Sequence, residues 1–322
     1  MTSAALQEML LSPYLDDLLA DGLTSVVVRA ERDHPVNDLD AGSIPLVIIG
    51  ITAPDDLVGS ARVFDVALVD NDPSLHQITT VIDSNPIAAT SLAVLLRGNV
   101  ALPVDHALAA ESAVYSMLQS GAEFARWKAG TTRAPAPVDN EPAVLSARSG
   151  ATLSIVLNRP HRHNAFSRSM RDGLSELLAL AVIDDTITCV EISGNGPSFC
   201  SGGDLAEFGS FVDPASAHAT RLTRSPARLI NRIAAEVHVS LHGACMGAGI
   251  ELAAFARRVS ADPGASIALP EVPLGLIPGA GGTVSITRRV GRQRCAQLAL
   301  IGQPITAQTA LEWGLIDEIS VR

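Results

Sequence analysis

The period of the apolar positions changes along the chain. Residues 103–120 (PVDHALAAESAVYSMLQS) place Val104, Ala107, Leu108, Val114, Tyr115 and Leu118 at helical spacing. Pro103 suits a first helical position and Gly121 suits a helix end, so the pattern predicts a helix over 103–120. Residues 85–96 read as a second helix, and a further helical pattern covers residues 5–20. Between these lie two apolar, β-branched runs, 25–30 and 44–51, which predict strands. From residue 144 onward strands and helices alternate. Strands are predicted at 151–157, 187–193, 237–241 and 265–269, with helices at 169–181, through 214–235, through 248–252 and over 283–290. Such alternation implies α/β layers with parallel pairing.

Residues 131–143 (TTRAPAPVDNEPA) carry Pro135, Pro137 and Pro142, a spacing that favours an extended, semi-stiff connector. The chain is therefore divided into an N-terminal part (1–130), a Pro-rich linker (131–143) and a C-terminal part (144–322).

Composition narrows the classes. Apolar residues make up 47% and charged residues 18% of 322, which excludes a disordered chain. Aromatics are only 3%, so the core must be built from Ala, Val, Leu and Ile. The net charge of −11 repels phosphate backbones and anionic lipid, so neither nucleic acid nor a membrane is an expected partner. Cys189, Cys200, Cys245 and Cys295 form no CxxC pair and no zinc-type spacing, so no metal is expected. The start of the chain lacks a basic stretch, and the apolar run 44–53 is short and holds Pro45; the expectation is a soluble, cytoplasmic protein.

Four segments can carry chemistry. FCSGGDL (199–205) contains Gly202 and Gly203, where backbone N–H groups can point at an anion; the plain alternative is a glycine turn from strand to helix. HGACMGAGIELA (242–253) runs small residues up to a helix start, with Glu251 one turn after Ala248; alternatively it is a close-packed helix with a solvated acid. LPEVPLGLIPGAGGT (269–283) sets Glu271 among apolar residues and prolines, where burial would raise its pKa, or leaves it an exposed loop acid. No GK[ST] follows its glycines, so it is not a P-loop. LNRPHRHNAF (157–166) clusters Arg159, His161, Arg162 and His163, which could meet a phosphate or form a solvated loop.

In this order and spacing the four segments resemble the crotonase superfamily, the enoyl-CoA hydratase/isomerase family, over about residues 145–319. The resemblance implies an α/β fold, a crotonase-like (ββα) repeat superhelix, here with an additional, mainly helical N-terminal part. It implies oxyanion-hole N–H groups on Gly203 and Ala248, catalytic carboxyls on Glu251 and Glu271, and a water-positioning N–H on Gly279. It also implies substrate contacts from Arg159, Asn164, Ala165 and Phe166, and from Ser201, Asp204 and Leu205. The final GLIDEI (314–319) is similar to a stretch near the end of the family's core.

The implied activity is enoyl-CoA hydration: syn addition of water across C2=C3 of a trans-2-enoyl-CoA. Glu251 would help activate water for C3 and Glu271 would deliver a proton to C2. Isomerases of the family usually keep only the glutamate at the position of Glu271, so the pair favours a hydratase. An enoyl-CoA isomerase, an acyl-CoA hydrolase and a non-catalytic CoA-binding paralogue are the alternatives. The partner is an acyl-CoA thioester, no cofactor is needed beyond its coenzyme A, and a homo-oligomer, trimer or hexamer, is implied. Family members normally continue past GLIDEI in helices that complete the CoA pocket, whereas this sequence stops at Arg322. Residues 85–98 and 102–130 resemble those helices, which suggests a circular permutation with the Pro-rich segment joining the old ends. Phe124, Arg126, Trp127 and Lys128 would then lie near the CoA adenine.

Overall fold

A computed structural model describes residues 1–31, 39–53, 62–131, 141–208 and 213–320. Two helices open it, α1 (Ser3–Leu10) and α2 (Leu15–Ala20). A single helix over 5–20 does not form, because Pro13 interrupts the hydrogen-bond ladder between them. Thr2 caps α1, its hydroxyl accepting from the Ala5 N–H at 3.2 Å. Strands β1 (Ser25–Arg29), β2 (Val47–Thr52) and β3 (Val66–Val69) pair in parallel in that order.

All six residues of β2 are buried, as a parallel strand covered on both faces requires. Val47, Ile49 and Ile51 face the main core, while Ile48 joins Val26, Val28 and Leu6 in a smaller cluster. Helices α3 (Ser74–Ser84), α4 (Pro86–Asn99), α5 (Val104–Gln119) and α6 (Ala122–Gly130) follow. Pro103 is extended (φ −57°, ψ 150°) and precedes α5 rather than starting it. Gly121 has φ −83° and leads into α6, so no left-handed stop is used there. Neither β3, only four residues long, nor α3, whose Leu75, Ile78 and Ile82 are diluted by Ser and Thr, is evident from the pattern.

The C-terminal part begins with a hairpin, β4 (Val144–Ser149) antiparallel to β5 (Thr152–Leu157). β4 escapes the apolar pattern because it is almost wholly exposed. Then come α7 (Arg168–Ile183), β6 (Cys189–Gly194), α8 (Pro214–Thr223), α9 (Pro226–Arg232), β7 (Val237–Leu241), β8 (Ala244–Met246), α10 (Ala248–Ala253), β9 (Arg258–Ala261), β10 (Ser266–Ala268), α11 (Gly282–Val290), α12 (Arg292–Ile301), β11 (Ile305–Thr306), α13 (Ala307–Trp313) and β12 (Glu318–Ile319). One sheet runs β12-β9-β7-β6-β5-β4 and a smaller one β11-β10-β8. Twice a strand of the large sheet is followed by a short strand of the small sheet and a helix: β7-β8-α10 and β9-β10-α11. That is the (ββα) repeat that the family resemblance implies.

Residues 86–119 pack on this core. α4 lies against α11 and α12, and α5 against α8, α9 and α11. One continuous apolar cluster includes Leu92, Ala107 and Leu118 together with Ile250, Val284 and Leu298. Polar links cross the same seam: Gln77 Nε2 donates to the Ile301 carbonyl (2.8 Å) and Asn99 Nδ2 to Thr283 Oγ1 (3.2 Å). The buried Asp65 receives Ile48 N–H, Arg97 and Arg292, tying β2 to α4 and α12. Most of the Pro-rich linker, 132–140, lies outside the described residues.

Candidate active site

Two loops meet at the edge of the small sheet. Cys200 bridges to Cys245, and Phe166 bridges to Gly203, with Phe166 N–H donating to the Gly202 carbonyl at 2.7 Å and Asp204 N–H to the Phe166 carbonyl at 3.1 Å. This pairing leaves the Gly203 N–H unspent. The Ala248 N–H, at the start of α10, is likewise unspent. Among the described residues neither donates to a protein acceptor, and both residues line one cavity of about 200 Å³.

Glycine is required beside them. Gly247 has φ +46°, and a Cβ there would stand 2.3 Å from Glu271 Oε1 and 3.6 Å from the Gly202 Cα. The missing side chain is the space the Glu271 carboxyl occupies.

Among the described residues three buried glutamates line the cavity, beside the buried Asp204 and the half-buried Glu207: Glu251 from α10, Glu271 before the turn Val272–Leu274, and Glu111 from α5. Glu251 Oε2 accepts from the N–H groups of Ala280 (2.7 Å) and Gly282 (2.9 Å). Glu111 Oε1 accepts from Gly281 N–H (2.8 Å), and its Oε2 accepts from Thr283 N–H (3.0 Å) and Thr283 Oγ1 (2.7 Å). Four successive N–H groups thus alternate between two carboxyls on opposite sides of one loop. Glu271 Oε2 has no partner among the described residues.

Burial raises all three pKa values. Glu251 is pushed up to about 7 against its two N–H donors. Glu111 is pushed up to about 8 by burial and by the neighbouring Glu251, and Glu271 well above the carboxylate range by the same two causes. The buried thiols of Cys200 and Cys295 are held up to about 12, so neither supplies a thiolate nucleophile.

Gly279 also lines the cavity, and a Cβ there would meet the Tyr115 ring at 2.3 Å. Gly279→Ala is therefore expected to cost about 1–3 kcal/mol by overpacking, read from urea unfolding. A variant as stable as the parent would show that the Tyr115 ring moves freely.

The predicted substrate contacts separate into two groups. Phe166 and Asp204 line the cavity. Arg159 does not present its charge to a phosphate: it is 2% exposed, and its Nη1 donates to Asp204 Oδ2 (2.9 Å) and the Ala165 carbonyl (2.6 Å). A buried guanidinium must be spent on such partners. Asn164 is fully buried, accepting from Arg159 N–H (2.7 Å) and donating to the carbonyls of Asn195 and Ser198. Ala165 is buried beside it. Ser201 donates its N–H to the His163 carbonyl, and Leu205 is exposed. Neither Ser201 nor Leu205 lines the cavity.

Glu111, Tyr115 and Arg221 line the cavity without having been singled out from the sequence. One signal was present. On the 104–107–108–115–118 apolar stripe, position 111 falls in line, and a glutamate there interrupts an otherwise apolar face. At α6, Trp127 stacks on Phe124 and meets Phe208 edge-on at 6.2 Å, which joins α6 to the segment after Gly203. Arg126 is turned to the Ser84 carbonyl and Asn85.

A sequence model of the family described as enoyl-CoA hydratase/isomerase matches residues 147–322. The 1,2-epoxyphenylacetyl-CoA isomerase of Escherichia coli is 36% identical over 55% of this chain and 69% of its own length. The 2,3-dehydroadipyl-CoA hydratase of the same organism is 34% identical over 55% of this chain and 68% of its own. Among solved structures, an enoyl-CoA hydratase from Thermoplasma volcanium superposes with a TM-score of 0.52 at 36% identity, covering 56% of this chain and 72% of that one.

Proposed function

This chain belongs to the enoyl-CoA hydratase/isomerase family, and we propose that its reaction is hydration of a trans-2-enoyl-CoA thioester. The observation that carries this reading is the pair of buried carboxyls, Glu251 and Glu271, facing one cavity with two unspent backbone N–H groups. The Gly203 and Ala248 N–H groups receive the thioester oxygen as it gains charge. One such donor is worth roughly 3–4 kcal/mol in a comparable hole.

Glu251 is held by two N–H donors that favour its ionised form, so it takes the proton from water as oxygen bonds to C3. Glu271, without a donor on Oε2, holds its proton and delivers it to C2. The coenzyme A of the substrate is the only cofactor this chemistry uses. In the same reading α4 to α6 stand in for the helices that other members carry after their last core strand. The support is that α5 brings Glu111 and Tyr115 to the cavity wall.

Hydration of crotonyl-CoA and of a longer trans-2-enoyl-CoA, followed by loss of the enoyl thioester absorbance, tests the reading. A similarity to an isomerase of comparable identity favours double-bond or epoxide isomerisation as the second reading. Isomerised rather than hydrated products from the same panel would establish it.

The pH profile follows from the assignment. A base must be deprotonated to act, so kcat/KM is expected to rise with pH through about 7, where burial has moved Glu251. Glu271, raised well above the carboxylate range by burial and the neighbouring Glu251, is the carboxyl that holds the proton for C2. The ascending limb belongs to the coupled carboxyls and should vanish in Glu251→Gln. A limb that persists unchanged in that variant would assign it elsewhere.

A further inference from the structure

Among the described residues, five arginines line the cavity of a chain whose net charge is −11: Arg168, Arg171, Arg221, Arg224 and Arg228. Arg171 and Arg224 share Asp172, at 2.8 and 3.2 Å, and Arg228 pairs with Asp105 at 3.0 Å. Arg221 is placed differently. Its Nε donates to Ser112 Oγ at 3.0 Å, and its Nη2 donates to the Ser112 carbonyl at 3.5 Å and to Ser116 Oγ. Its guanidinium stacks 4.8 Å over the Tyr115 ring. Every one of these partners is neutral. Among the described residues Arg221 forms no ion pair, and its Nη1 edge takes part in no hydrogen bond.

A guanidinium cannot shed its charge, and a half-buried one with an open edge in a cavity is completed by an anion. The position says which anion. Gly279 packs on the Cδ2–Cε2 edge of Tyr115 and Arg221 lies over the face of the same ring, so one aromatic ring joins Arg221 to the residue expected to position the water. Arg221 shares this cavity with Gly203 and Ala248, the proposed seat of the thioester oxygen, so a group it binds there belongs to the acyl part of the substrate. The acidic neighbours do not argue otherwise, since burial favours the protonated forms of Glu111 and Glu271.

We propose that Arg221 receives a carboxylate at the far end of the acyl chain, making the substrate the CoA thioester of an unsaturated dicarboxylic acid. The proposal rests on the thioester placement given above. The Nη1 edge and the Tyr115 face position the fork, and the serine hydroxyls of α5 hold it without competing charge.

The test is equilibrium binding of two unreactive thioesters of equal chain length, adipoyl-CoA and hexanoyl-CoA, with free CoA as the third ligand. The native chain should bind adipoyl-CoA about 10- to 100-fold more tightly than hexanoyl-CoA, the range of a charge-assisted hydrogen bond. In Arg221→Met that ratio should fall to near one. In Arg221→Lys, which keeps the charge and folds with the stem in place, the ratio should fall part way. Equal binding of the two thioesters by the native chain overturns the proposal. So does an Arg221→Met variant that weakens hexanoyl-CoA and free CoA as much as adipoyl-CoA, because that places the guanidinium on a CoA phosphate. Neither ligand carries a C2=C3 bond, so the ratio is independent of turnover. Failure of the hydratase reading would instead appear as unhydrated trans-2-enoyl thioesters with the binding ratio intact.

Discussion

Glu271→Gln and Glu251→Gln should each lower kcat for hydration by roughly 10²- to 10⁴-fold, the usual worth of a general acid or base. The two losses have different origins. At position 271 the amide keeps the carboxyl's shape beside Gly247, yet has no proton to give C2. At position 251 the amide oxygen can still accept from Ala280 and Gly282, so the loop keeps its support while the base is gone. Both variants should therefore fold, and KM should move much less than kcat. Acting on one transition state, the pair should be non-additive, with the double variant little worse than either single one. Steady-state hydration assays on the three variants check this. A single variant that retains the native kcat would remove its carboxyl from the mechanism.

The second large effect lies outside the segments that the sequence pointed to. Glu111→Ala leaves three buried donors, two of them the N–H groups of Gly281 and Thr283, without their acceptor. Each such donor costs about 1–3 kcal/mol, so a loss of about 3 kcal/mol or more is expected in urea unfolding. Activity should fall with it, because the same loop carries the donors that hold Glu251. Glu111→Gln keeps part of the acceptor and most of the volume, and should lose less of both.

Its pH signature separates this role from plain packing. Burial and Glu251 raise the Glu111 pKa from 4.5 to about 8, so the folded chain binds that proton more tightly than the unfolded one. Stability from this group is full below 4.5 and declines as pH rises toward about 8. Glu111→Gln should flatten that decline. An unchanged slope would mean that Glu111 keeps an ordinary pKa in the folded chain.

Position 111 also marks the boundary between what local pattern carries and what it does not. The ordered segments FCSGGDL, HGACMGAGIELA and LPEVPLGLIPGAGGT hold their chemistry in neighbouring residues: a glycine that must lack a Cβ, a small residue opening a helix, an acid among apolar neighbours. Turn chemistry and periodicity are local, and so the alternation of strands and helices was legible in them, while the (ββα) order was implied by the resemblance of these segments to the family. Arg159 was misread because charge in a loop says nothing about depth. Its burial comes from Asp204, forty-five positions on. β4 was missed since an exposed edge strand carries no apolar alternation.

Local sequence carried the alternation of strands and helices and the glycine-rich segments, and their resemblance to the family carried the (ββα) repeat and pointed to Glu251 and Glu271, which the fold buries at one cavity. Tertiary structure alone decided that α5 closes the cavity and that Glu111 clamps the loop facing Glu251. It alone decided that Arg221 meets only neutral partners. The reason is physical. Those contacts join residues more than a hundred positions apart, and their energies are set by burial and distance, which exist only once α5 has docked on α8 and α11.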